Sequence, residues 1–222
     1  MHPTRVAPLA PAAAVLQASP WQAAEVPPLG RVRSFVKDET IMAAGGCPIF
    51  FYKVVSGMVR TCQVLADGRR KIAAFYTAGD VFGIEAGHEH RFAAEALGDV
   101  TVLAYRRCSF DRVASGDGRI GRMVMDAMIR DLGRAHDHML VLARKSAIGR
   151  VAAFLLDLSD RAAGRVVDLS MPRADIADYL GLTIESVSRS FTQLERLGVI
   201  EVLATRRTVI VRDMAALRGF DA

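Results

Sequence analysis

Cysteine is scarce in this chain. Three thiols in 222 residues, Cys47, Cys62 and Cys108, lie far apart with no Cys-x-x-Cys pair. An odd, scattered count argues against a disulfide framework and a closed zinc site, and it fits a reducing compartment, so a cytoplasmic location is expected. Long apolar runs are missing too, and no stretch could span a bilayer, which leaves no expected membrane partner. Lysine is short as well: of 29 basic residues only those at positions 37, 53, 71 and 145 are lysine. Arginine forks suit guanine and phosphate, although a GC-rich genome gives the same bias. There is no nucleophile motif, no phosphate loop and no zinc-helix signature, so an enzyme is not expected, nor a cofactor or bound metal.

What remains is a hydrophobic content of 51%, enough for a globular protein of two small domains, and a net charge of +5. That charge permits nucleic acid as a partner without requiring it.

The most informative stretch runs from Arg173 to Gly198. Ala177, Gly181 and Val187 have the spacing of two closely crossing helices. A small residue lets them touch, a glycine takes the left-handed turn, and a valine plugs the angle. Pro172 suits the start of the first helix, and Ile176, Tyr179 and Leu180 give it a buried stripe. Thr183 is an N-cap for the second, and Gly198 a stop after Leu194 and Leu197. The second helix would expose Glu185, Ser188 and Arg189 near its N-terminal end, where a helix lying in the major groove meets base edges. Residues 199–203 and 208–211 read as two short strands, joined by a hairpin that carries Arg206 and Arg207 at its tip. The bland alternative is an amphipathic helix pair in an unrelated bundle.

Upstream, residues 1–29 are rich in Ala and Pro, with Pro8 and Pro11 interrupting the apolar stretch, and read as a flexible tail rather than a secretory signal. Residues 30–110 break into short strand-like runs separated by Gly, Asp and Pro. Among them are a bend at Gly57 and an Asp67-Gly68 hairpin turn, a pattern that favours an antiparallel β-roll or jelly roll. Residues 111–145 read as one long helix. Met125, Met128, Leu132, Ala135, Met139 and Leu142 recur three and four residues apart, which is a coiled-coil seam and predicts a homodimer. The stripe could instead cover the chain's own roll, but more than 20 residues is longer than that requires. A further helix, Ile148 to Ala163, turns Val151, Phe154, Leu155 and Leu158 inward and opens the last segment, residues 146–222. The fold class is thus α+β: an N-terminal roll, a long dimerisation helix and a C-terminal winged helix-turn-helix.

This order of parts resembles the Crp/Fnr family of bacterial transcription regulators, over nearly everything after residue 30. The segments 52–61, 67–75, 79–83, 89–92 and 176–183 look most like the FixK group of that family. The resemblance places the base-reading trio at Glu185, Ser188 and Arg189, and the chemistry agrees: Arg can fork onto guanine, Glu can accept from cytosine, and Ser can do either. Ile184 could pack on a thymine methyl. Thr183, Arg173, Arg206 and Arg207 are the candidate phosphate contacts. With Ser at position 188 the resemblance implies TTGAT-type half-sites in a palindrome, read by a two-fold dimer with RNA polymerase as an expected partner. It also implies an activator in an oxygen-limitation or nitrogen-oxide-linked programme.

The sensor chemistry of the relatives is not visible. The first 46 residues hold no cysteine for the iron–sulfur cluster of the Fnr branch. The Crp branch holds cyclic AMP with a Gly-Glu pair and an Arg followed by a hydroxyl. Here the region reads Gly83-Ile84-Glu85 and then Arg91-Phe92, a degenerate site that would leave a buried phosphate short of donors. Arg91 should then serve as an ion-pair partner of Glu85 or Glu95. His88, His90, His136 and His138 read as solvated surface residues, with a metal or haem ligand role as the alternative, and the three cysteines as packed thiols. The cysteine that FixK relatives can carry at the entry to the helix-turn-helix is replaced by Pro172. The dimer is therefore expected to bind double-stranded DNA without an effector. The rival reading is a ligand- or redox-sensing roll whose winged helix docks protein.

Overall fold

The computed structural model describes residues 30–66, 68–107, 118–144, 146–204 and 207–221. Eight short strands form two facing antiparallel sheets. One has the order β1 (Gly30–Phe35), β8 (Val100–Arg106), β3 (Phe50–Ser56), β6 (Val81–Phe82). The other runs β2 (Thr40–Met42), β7 (Ala93–Ala96), β4 (Val59–Val64), β5 (Arg70–Tyr76). Alternation makes the core. Val100, Val102 and Ala104 point inward from β8 and meet Phe35, Tyr52, Val54, Val59 and Phe82.

The bend at Gly57 does more than reverse the chain. β3 and β4 do not pair with each other, so Gly57 carries the chain from one sheet to the other. It sits at φ +83°, and a Cβ there would lie 2.4 Å from the Asp99 carbonyl oxygen, so only glycine fits. The 65–70 turn has Gly68 at φ +80°, with the Leu65 N–H donating to the Arg69 carbonyl. Asp67 lies outside the described residues, as do the tail of residues 1–29 and the stretch 111–117.

A long helix, α1 (Gly118–Arg144), follows the roll. Two stripes run along it. Ile120, Val124 and Ala127, spaced four and three apart, are buried against Phe51, Val81 and Tyr105 of the roll. Met125, Met128, Leu132 and Met139 belong to the other stripe and stay half or more exposed, with Ile129 and Leu140 beside them. The seam therefore does not cover the roll. Its last member departs from the pattern: Leu142 is half-buried beside Gly181 rather than open like the rest.

The C-terminal part is built on α2 (Ala147–Arg161), capped by Ser146, whose Oγ accepts from the Gly149 N–H at 3.3 Å. Val151, Phe154, Leu155 and Leu158 are buried on it as expected. Around it pack β9 (Val166–Asp168), α3 (Arg173–Leu180), α4 (Ile184–Arg196), β10 (Ile200–Val202), β11 (Thr208–Val211) and α5 (Met214–Asp221). The three strands form an antiparallel sheet in the order β10-β11-β9. Met58, Cys62, Ile72, Phe75 and Leu97 of the roll join the same apolar cluster as α2, α3 and α4. The roll and the C-terminal helices thus share one core.

Candidate nucleic-acid interface

α3 and α4 form the helix-turn-helix with the boundaries their end residues dictate. Gly181 closes α3 at φ +61°, ψ +42°, and its N–H donates to the Ala177 carbonyl. The Leu182 N–H reaches the same carbonyl at 3.0 Å. Thr183 caps α4, its hydroxyl accepting from the Ser186 N–H at 3.1 Å. Ala177 and Val187 are fully buried where the helices cross. Arg150, from α2, donates to the carbonyls of Leu180 at 2.9 Å and Gly181 at 3.4 Å, and also to that of Leu142 at 2.9 Å. One guanidinium thus satisfies carbonyls at the ends of two other helices.

The faces of α4 separate cleanly. Val187, Ser190, Phe191 and Leu194 turn inward, with the Ser190 hydroxyl donating to the Ser186 carbonyl at 2.9 Å. Glu185, Ser188 and Arg189 are exposed on the first two turns, and Ile184 is half-exposed beside them. Hydrogen bonds from its own backbone N–H and from Thr183, helped by nearby Arg189, hold the Glu185 carboxyl below the usual carboxylate range. The face therefore presents a fixed acceptor, a hydroxyl and a charged donor fork side by side, the repertoire for reading base edges in a major groove.

The flanking basic residues are placed differently from one another. Thr183 stands at the front of the helix. The Arg173 guanidinium lies 3.4 Å from the centroid of the Phe191 ring, so it is half-buried in a cation–π stack rather than fully extended. Arg207 is exposed just before β11, where the Leu203 N–H donates to the Thr208 carbonyl and closes the wing. Arg206 lies outside the described residues.

Several side chains depart from their sequence readings. Arg91 pairs with neither acid as an ion. Glu95 stands directly opposite Arg60 across the β4–β7 ladder, and Arg60 takes it, its Nε donating at 2.8 Å. Arg91 gives Glu85 only its backbone N–H, at 3.4 Å, and its guanidinium sits 5.6 Å over the Phe92 ring. Two histidines are not solvated. His90 is 5% exposed because its backbone pairs with Gly45 and Gly46, which draws the ring inside, 3.9 Å from Glu85. His138 stacks on Tyr179 with centroids 4.0 Å apart. Burial holds both imidazoles below their usual pKa and pushes the Tyr179 hydroxyl up to about 12. His88 and His136 are exposed as expected. Cys62 is buried, but Cys47 is exposed in the loop after β2, and Cys108 lies outside the described residues.

The degenerate site lines a cleft of about 820 Å³ between the roll, α1 and α2. Gly83 has φ +79°, and a Cβ there would lie 3.3 Å from the Met42 sulfur and 3.4 Å from the Tyr52 ring, so any other residue would be strained. Glu85, Arg91 and Phe92 line the same cleft as Asp131 and Arg134 of α1. Among the described residues no group of three His, Cys, Asp or Glu side chains could hold a metal ion, and no helix is long and apolar enough to cross a membrane.

Sequence reasoning missed two charged clusters. Asp175 of α3 is fully buried, accepting from Arg60 Nη1 at 2.6 Å and from Arg70, which also reaches Asp178 at 3.4 Å. Asp80, in the turn before β6, accepts from Arg161 of α2 at 2.6 Å, Arg134 of α1 at 2.9 Å and the Thr77 N–H at 2.9 Å. Arg60 lies in the strand segment Val59-Arg60-Thr61-Cys62, all four of whose residues are buried, and nothing in that sequence marks it as a buried charge.

Residues 149–220 match the Crp-like helix-turn-helix domain, and residues 32–117 the cyclic nucleotide-binding domain. The nitrogen fixation regulation protein FixK of Azorhizobium caulinodans is 42% identical over 200 residues, covering 87% of this chain and 80% of that one. The protein of the same name from Rhizobium meliloti is 38% identical over 189 residues, 85% of this chain and 86% of that one. Among solved structures, FixK2 from Bradyrhizobium japonicum superposes with a TM-score of 0.81 at 41% identity, covering 87% of this chain and 98% of that one.

Proposed function

Because the chain belongs to the Crp/Fnr family of transcription regulators, with FixK proteins among its relatives, we propose that it reads TTGAT-N4-ATCAA-like palindromes as a homodimer, with no effector needed. One observation carries this reading. The first two turns of α4 expose Glu185, Ser188 and Arg189 together while Val187 anchors the helix behind them. Arg189 takes the guanine of the half-site, Glu185 accepts from a cytosine, Ser188 serves either partner, and Ile184 meets a thymine methyl. Thr183, Arg173, Arg206 and Arg207 contact phosphate and set register without reading sequence.

The division of labour belongs to the same proposal: residues 1–29 a tail, 30–110 a sensor-like roll, 111–145 the dimerisation helix and 146–222 the DNA-binding part. Two heads placed by the α1 seam would lie roughly one helical turn of DNA apart, about 34 Å. Gly83, Glu85, Arg91 and Phe92 offer a cyclic phosphate no hydroxyl, with Phe92 beside the exposed Arg91 where the hydroxyl would stand, so control lies in synthesis or turnover of the protein. The programme is one of oxygen limitation or nitrogen-oxide response, with activation through RNA polymerase in the cytoplasm. Relatives named nitrogen fixation regulation protein and transcriptional activatory protein support the regulatory and activating parts of that reading.

The test is binding of the purified, effector-free protein to a TTGAT-N4-ATCAA duplex and to the same duplex with both guanines changed. Tight binding lost on the change is the expected result. Equal, salt-sensitive binding to both duplexes would refute the reading.

A further inference from the structure

Asp80 and Asp175 touch no base-reading residue, yet each is clamped by guanidiniums from separate parts of the chain. Asp175 is on α3, and its partners Arg60 and Arg70 are on the neighbouring roll strands β4 and β5. Asp80 belongs to the roll, and its partners are on α1 and α2. Arg161 ties in further, donating to the Phe75 carbonyl at 3.0 Å and the Thr77 hydroxyl at 3.1 Å. Between the two clusters Tyr179 of α3 packs edge-on against Phe75 of the roll, with centroids 5.2 Å apart, and flat against His138 of α1.

Buried ion pairs of this kind add little net stability, because desolvation of the charges cancels most of the attraction. They do impose geometry. Apolar surfaces slide over one another at small cost, whereas a buried carboxylate displaced from its donors is left as an uncompensated charge. Asp175 is 0% exposed, so water cannot replace either arginine. Within the shared apolar core, the path from the α1 seam to α3 thus carries a directional polar contact at each of its junctions. Arg134 and Arg161 meet on Asp80, Arg150 spans the Leu142 and Leu180 carbonyls, and Asp175 fixes α3 on the roll. α4 then follows α3 through the Ala177–Val187 crossing.

We propose that Asp175 and Asp80 are positioning residues that hold the two recognition helices of the dimer at a set separation, so that the protein measures the spacer between half-sites. This rests on the palindrome reading above. The roll acts as a jig: without a ligand it holds each head at one angle to the two-fold axis. Spacer length is thereby read as energy, because a head that cannot swing cannot follow a half-site moved along and around the duplex.

The experiment uses the full chain as wild type, Asp175→Asn and Asp80→Asn, each on a Cys47→Ser, Cys108→Ser background. Affinity is measured for duplexes with spacers of four to seven base pairs and for a single half-site. In parallel, a spin label at Gln193→Cys on the exposed side of α4 reports the distance between protomers without DNA. Wild type should lose about tenfold or more in affinity when the spacer grows by two base pairs, and should show a narrow distance distribution. Asp175→Asn should keep the dimer and the half-site affinity, shrink the spacer preference to about twofold, and broaden the distances. General destabilisation would weaken all duplexes alike and leave the spacer ratio intact. An unchanged spacer ratio with an unchanged distance distribution in both variants overturns the proposal. Should Asp175→Asn fail to fold, Asp80→Asn, whose carboxylate is less buried, gives the same pair of readings. If wild type ignores the palindrome, the half-site reading fails, and the label distances alone decide whether the carboxylates position the heads.

Discussion

Replacing Leu132 by Arg tests the dimer at its seam. Met125, Ile129, Leu132 and Met139 are each 58–62% exposed, and Met128 and Leu140 49%. Full burial of such a side chain is worth about 1.5–3 kcal/mol, so the half still open offers about 1 kcal/mol each. Six side chains on each of two helices then supply about 12 kcal/mol, against an association cost of about 4–15 kcal/mol. The balance is close enough for one layer to matter. Leu132→Arg removes about 1 kcal/mol from each helix and sets two guanidiniums facing each other across the axis. At about 7 Å and an effective dielectric near 20, that repulsion adds about 2 kcal/mol. The total of about 4 kcal/mol weakens dimerisation by about a thousandfold. Sedimentation equilibrium should show wild type dimeric at micromolar concentration and the variant monomeric. The thermal transition of the roll should hold, since Ile120, Val124 and Ala127 on the other stripe are untouched. Arg130→Ala, exposed and off the seam, should stay dimeric. A dissociation constant for Leu132→Arg within threefold of wild type would refute the seam.

Three further outcomes are expected. Arg189→Ala should cost about 1–3 kcal/mol at each half-site and leave the melting temperature unchanged, as anisotropy titration and thermal unfolding will show; a loss under twofold contradicts its role as a base reader. Gly57→Ala should destabilise more than Gly181→Ala in denaturant titrations. At Gly57 a new Cβ strikes the Asp99 carbonyl at 2.4 Å, whereas at Gly181 it meets nothing nearer than 3.6 Å and only the left-handed backbone costs about 1–2 kcal/mol. Burial alone would raise the Asp80 carboxyl, but Arg161, the Thr77 N–H and Arg134 bring it below its ordinary value. Its contribution to stability is then whole above the unfolded-state pKa of about 3.9 and is lost as pH falls through the lower folded-state value. Asp80→Asn should flatten the acid limb of the stability curve, and an unaltered limb would count against the cluster.

The parts of this molecule legible in its sequence are those whose causes are local. α3 and α4 begin and end where Pro172, Gly181, Thr183 and Gly198 require, because capping and left-handed turns are decided within a few residues. The long helix was legible for the same reason, since its period is written along it. Which of its faces meets the roll was harder to see. The seam and the stripe of Ile120, Val124 and Ala127 are both apolar, and only the positions of Phe51, Val81 and Tyr105 choose between them. Gly57 shows the limit for strands. A bend between two runs reads like a hairpin, yet β3 finds its partner in β8, some fifty residues on, and the choice of sheet is set by the whole roll.

Charged partners were the least legible, for a physical reason. An apolar side chain asks only for burial, which periodicity reports, but a guanidinium asks for one particular carboxylate at hydrogen-bond distance. Arg60 and Asp175 are 115 residues apart. In its strand Arg60 looks like a polar residue on an outer face, and in its helix Asp175 looks like an acid placed for the first-turn dipole. Each has a sufficient local explanation, so neither announces the other. The same holds for His138, whose partner Tyr179 already had a role as a core residue of α3. The exposed face of α4 escapes this difficulty because its proposed partner lies outside the chain. Glu185, Ser188 and Arg189 are exposed together on one surface, as their helical spacing and the family resemblance both led one to expect, and the proposal that they read bases needs no partner within the chain.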